Sequence, residues 1–182
     1  SPKLADPRRQ FERLRKVFTI PQSELTRAPF YVRHCLFALR EFHRANKLPT
    51  SQRFVVQRRC ILLLCLVLLF GRSQLLKRLC VGHFVLSETH LTIREFDFKG
   101  KEQHGFTADC PLPSATGLLS REMDPYVAIG EYVAFVRGLG GSLVFWGLDS
   151  TVESYKATNM KGWSGICTYQ CRTLLSGFTP PE

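Results

Sequence analysis

The chain has 182 residues, is 45% apolar and 12% aromatic, and carries a formal net charge of +10. That length suits one ordinary domain or two small ones, and the apolar share excludes a disordered chain. Seven cysteines without a dense, regular framework exclude a small disulfide scaffold.

The charge is unevenly placed. Residues 1–82 hold 17 Lys/Arg and 4 Asp/Glu, a balance of +13, while residues 83–182 hold 8 Lys/Arg and 11 Asp/Glu, a balance of −3. Arg outnumbers Lys 17 to 8, which favours bidentate contacts with phosphate or carboxylate. A basic half suits phosphate on lipid headgroups or on nucleic acid. Ser1-Pro2 lacks an initiator Met, as expected after removal of a targeting or expression segment.

Asp6 and Pro7 carry the N-cap and first-turn signals of a helix running to Val17, with Phe11, Leu14, Val17 and Phe18 at helical spacing. Pro21 stops it. Pro29 opens a second, amphipathic helix that ends before Pro49. Tyr31, Cys35, Leu39 and Phe42 form its apolar stripe, widened by Phe30, Leu36 and Phe37, while Arg33, Arg40 and Arg44 project a polar surface. Such a helix packs on its own core, a partner or a membrane surface.

The third helix holds the run from Cys60 to Phe70, which has no polar side chain except two thiols. Alone it covers only about 16 Å of a hydrocarbon core of roughly 30 Å. Extended from about Phe54 to Leu76 it reaches roughly 34 Å, enough to span. Arg58, Arg59 and Arg72 can snorkel toward headgroups. The sequence thus predicts one membrane helix, with a buried core helix as its competitor.

After Gly82 the pattern changes toward strand. Residues 90–98 alternate, with Leu91, Ile93 and Glu95 on one side and Thr92, Arg94, Phe96 and Phe98 on the other. Residues 104–110 are expected to return as the hairpin partner before Pro111. Residues 126–138 read as a longer strand around Gly130, RGLGG as a turn, and residues 142–148 as its returning strand. The expectation is an α+β chain: a basic helical region over 1–82, then a small antiparallel β domain over 83–182 with an irregular C-terminal tail.

Chemistry-bearing motifs are sparse. RGLGG lacks the lysine of a phosphate loop. Cys167 and Cys171 form a C-x3-C pair without further ligands, best read as buried thiols. His34, His43, His83, His90 and His104 form no metal-binding pattern, and Glu95 and Asp97 have no fixed partner. No catalytic residue, cofactor or metal is expected.

The order of short motifs resembles the mitochondrial inner-membrane assembly-factor family that has a transmembrane helical hairpin followed by a small β domain. LVLLFGRS at 66–73, LTIREFDF at 91–98, FTADCPLP at 106–113 and LVFWGLDS at 143–150 carry the likeness, with Asn159 and Gly162 or Gly165 following. It covers about residues 60–168. The family's upstream membrane helix has no counterpart here. The resemblance implies a mitochondrial, non-enzymatic protein serving respiratory-complex assembly or the translation that feeds it. The resulting expectation is an accessory or assembly subunit of a respiratory-chain complex in the inner membrane, its basic half on the matrix side. Arg58, Arg59, Arg72, Lys77 and Arg78 would meet anionic lipid, cardiolipin above all, and the β half would dock onto other subunits. The alternative is a mitochondrial ribosomal protein whose basic half follows rRNA phosphates.

Overall fold

The computed structural model describes residues 32–69, 76–77, 79–95, 106–148 and 162–178. The expected helix from Asp6 to Val17 lies outside them. The described residues include four α-helices and a three-stranded antiparallel sheet. The α+β class therefore holds.

Helix α1, Val32–Arg44, is the amphipathic helix read from the sequence. Cys35, Ala38, Leu39 and Phe42 are buried, and Arg33, Arg40 and Arg44 stay exposed. A short 3-10 turn, Ala45–Lys47, leads to Pro49, and helix α2 runs Thr50–Leu68. It ends short of the expected Leu76, and among the described residues no helix is long and apolar enough to cross a membrane. The spanning helix is thus corrected to a core helix. Ile61, Leu62, Leu63, Leu64 and Cys65 are wholly shielded by the chain itself, because α2 packs against α1, α3 and α4. A helix that is apolar all round needs partners all round, and here its own chain supplies them.

The sheet is a meander of β1 (Phe84–Leu86), β2 (His90–Glu95) and β3 (Phe106–Pro111). Phe84 faces Ile93 across one pair, and Leu91 faces Cys110 across the other. The inward positions are therefore apolar. On the outer face Thr92 Oγ1 donates to Asp109 Oδ1 at 2.9 Å. The hairpin read from residues 90 to 110 is present. Of its expected outer positions, Phe96 and Phe98 lie outside the described residues.

Residues 126–138 are not a strand. They form helix α3, Pro125–Gly138, started by the buried Asp124, whose carboxylate accepts from Tyr126 N and Val127 N. The same carboxylate accepts from Ser114 N and Oγ. Val, Ile and Tyr give this stretch strand character, but burial on several sides and a strong cap decide for helix. Gly140 at φ 81° ends it: Gly141 N donates to Val136 O and Gly140 N to Arg137 O. This pattern is a Schellman close, so RGLGG is a helix terminus and not a hairpin turn. Gly130 lets β1 approach, since a Cβ there would sit 2.7 Å from Leu86 Cδ2.

Residues 142–148 form turns, with one bridge pairing Cys80 and Leu143. Val81 N donates to Ser142 O and Val144 N to Leu79 O, both at 2.9 Å. Helix α4, Gly162–Leu175, replaces the irregular tail expected there. Buried residues from Cys35 to Cys171 form one cluster. Helices from both halves of the sequence share it, so the break placed after residue 82 does not divide the core.

Candidate functional site

Of the expected phosphate-contacting residues, Arg58, Arg59 and Lys77 are described, and they differ in exposure. Arg58 is 3% exposed, and its guanidinium donates through one terminal nitrogen to Trp146 O at 2.8 Å. It lies 5.1 Å from the Phe54 ring centre. Burial, more than the neighbouring Arg59, pulls its pKa below the ordinary arginine value, and Tyr132 opposes that shift. Its Nε has no hydrogen-bond partner. The physical reason for an arginine here is the turn over 142–148, two of whose carbonyls, Val144 O and Trp146 O, meet side-chain donors from the core. Tyr132 OH donates to Val144 O at 2.9 Å, as Arg58 does to Trp146 O, and a buried carbonyl left without a donor is costly. Arg59 is half-buried, and its Nε donates to Gln170 Oε1 at 2.8 Å. Arg58, 3% exposed, therefore offers little surface to a lipid headgroup. Lys77 is exposed, while Arg72 and Arg78 lie outside the described residues.

Among the described residues, a line of exposed cations runs along α1 and the turn that follows it. Arg33, Arg40 and Arg44 follow at intervals of seven and four residues, and Lys47 continues the line through the 3-10 turn. All four side chains are exposed. The face is opposite Cys35, Leu39 and Phe42, as helical periodicity requires. Arg44 donates to Glu41 Oε1 at 2.9 Å, an ion pair along α1. Arg40 and Lys47 have no ion-pair partner among the described residues.

At the C-terminal end of this face a groove of about 580 Å³ opens between α1 and the turn at Glu122 and Met123. Arg40, Arg44 and Lys47 stand around it, and Leu39 and Met123 give it apolar surface. His43 Nε2 lies 2.7 Å from Glu122 O. A carbonyl only accepts, so Nε2 carries the proton and ties the two walls together. His34, further back on α1, stacks edge-on against Phe178 at 5.0 Å. Desolvation, then Arg33, lowers its pKa.

Sequence reasoning had Arg40 and Arg44 as polar surface but missed the groove. Its second wall comes from residues 122 and 123, some 80 positions away from α1, and only the Pro113–Met123 turns bring them there. The helical periodicity that fixed the α1 face was the usable signal.

The thiols are packing groups. Cys35, Cys60, Cys65, Cys110, Cys167 and Cys171 are buried, and none of the seven cysteines is joined in a disulfide. Burial holds the Cys35, Cys60, Cys65 and Cys171 thiols well above their ordinary pKa. Cys110 is pushed up to about 11 by burial and by Asp109. Cys167 and Cys171 lie one turn apart on α4. Among the described residues no group of three or more His, Cys, Asp or Glu side chains is placed to hold a metal ion.

No protein-family model, curated protein or solved structure matches this chain.

Proposed function

We propose that this chain is a non-enzymatic accessory or assembly subunit of a mitochondrial respiratory-chain complex. It would be held peripherally on the matrix side of the inner membrane by its basic helical surface. The observation that carries the reading is the exposed line of Arg33, Arg40, Arg44 and Lys47 along α1 and the 3-10 turn that follows it. Four cations on one face suit a fixed anionic partner such as cardiolipin or an acidic subunit surface. Placing α2 in the core removes the anchor first expected and leaves attachment to surface contacts. Thiols held protonated by burial fit a packing role rather than nucleophilic work. The mitochondrial setting rests on the order of motifs resembling the assembly-factor family.

A second reading, a mitochondrial ribosomal protein, gains from the same core. The greasy centre of the basic half counted against it, and packing of α2 now accounts for that centre.

Fractionation of mitochondria separates the two. The accessory-subunit reading expects the chain to co-sediment with membranes, to leave them on alkaline carbonate extraction, and to migrate with a respiratory complex after mild detergent. Migration with the ribosome, released by ribonuclease and steeply by salt, would overturn it.

A further inference from the structure

We propose that the groove at the end of α1 binds the phosphodiester headgroup of an anionic phospholipid. The inference deepens the attachment proposed above and rests on that reading for its membrane setting.

The argument starts from an amide relay beneath the groove. Arg53 Nε can only donate, so Gln57 must turn its Oε1 toward it, at 3.0 Å. Gln57 Nε2 then faces Phe42 O at 2.9 Å and Asn46 at 2.8 Å. Phe42 O only accepts, which agrees with that orientation. Asn46 must therefore present Oδ1 to Gln57, which leaves its Nδ2 without a hydrogen-bond partner among the described residues, and Asn46 lines the groove. Gln57 itself is fully buried, so the relay fixes the Asn46 amide from inside the protein. The groove thus gains a neutral donor beside Arg40, Arg44 and Lys47.

The charges favour a monoanion. Three cations face Glu122 across the groove, and Glu41 already engages Arg44. Three positive and two negative groups leave a balance of +1, matched by a phosphodiester. The walls favour lipid over RNA. Leu39 and Met123 supply apolar surface, and Leu48, next to Lys47, is 39% exposed. Apolar residues beside cations are the composition of an interfacial contact. RNA sites add aromatic platforms for bases, and among the described residues no Phe, Tyr or Trp lines this groove.

The test is sedimentation of the full chain with vesicles of phosphatidylcholine alone or mixed with phosphatidylglycerol, with an oligouridylate as the nucleic-acid arm. The unaltered chain is expected to pellet only with the mixed vesicles. The double variant R40Q/K47Q should bind them about thirtyfold more weakly, since each cation near an anionic surface contributes modestly. Asn46→Leu should weaken binding several-fold without changing charge. The control K77Q/R94Q, which removes two exposed cations elsewhere, should bind as before. All four positions are exposed, and circular dichroism checks that the variants remain folded. Equal loss in R40Q/K47Q and K77Q/R94Q, or no loss in Asn46→Leu, would overturn the site. Loss of oligouridylate binding with vesicle binding intact would overturn the lipid and assign the groove to RNA. A chain that fails with vesicles yet still migrates with a respiratory complex would lose this site and keep the accessory role.

Discussion

The arginines of α1 and those of α2 stand close in sequence and end in opposite places. Arg40 and Arg44 remain in solvent, whereas Arg58 is buried and Arg59 half-buried. The neighbours of each helix decide. Helix α1 has a packed face and a free face, so its cations fall on the free one. Helix α2 is packed by α1, α3 and α4 and has no open side at Arg58. Its guanidinium must therefore find acceptors inside the chain. The difference teaches that counting cations along a sequence does not locate positive potential. Packing around each helix does.

The comparison breaks most readily at Arg58. Arg58→Ala should lower unfolding free energy by about 3 kcal/mol in urea titration, through lost stem packing and an unpaired Trp146 carbonyl. Arg58→Met keeps the volume and discards a buried charge, so it should lose much less or gain stability. A Met variant as unstable as the Ala variant would mean that the charge itself stabilises this core. Asp124→Ala comes next, at about 2 kcal/mol, because it uncaps α3 and strands the Ser114 donors together.

A smaller effect is expected on raising pH. Cys110 has a folded pKa of about 11 against an ordinary value of 9.0. Its contribution is fully present below pH 9 and is lost as pH rises toward 11, because the unfolded chain releases the thiol proton first. The other thiols held up by burial act in the same direction. Urea midpoints measured across that window should fall steadily, and a flat profile would show that these thiols ionise freely in the fold. Smallest of all, Arg40→Gln and Arg44→Gln should shift stability by no more than about 0.5 kcal/mol. Losses like those at Arg58 would place them in the core as well.

Much of the local structure was legible, and the failures have physical causes. Helix α1 follows from its stripe, and β2 with β3 from alternation around Leu91 and Ile93. Helix α3 was misread because Val127, Ile129, Tyr132, Val133 and Val136 all favour strands. Its Asp124-Pro125 start is the same cap signal read at Asp6-Pro7, so the information was present but outweighed. The role of α2 was only half legible. A run of eleven apolar or thiol residues is consistent with lipid or with core, and the choice depends on helices about 60 to 110 residues further along. The groove was illegible for the same reason. The cations are local, but the opposite wall at Glu122 and Met123 is not.

Hydrogen exchange in the full chain, purified without detergent, tests the central claim most directly. With α2 as a core helix, the amides of residues 61–65 should be among the slowest, opening only on global unfolding. Rapid exchange there in aqueous buffer, slowed only when lipid vesicles are added, would mean that this helix belongs to a bilayer and would contradict the account.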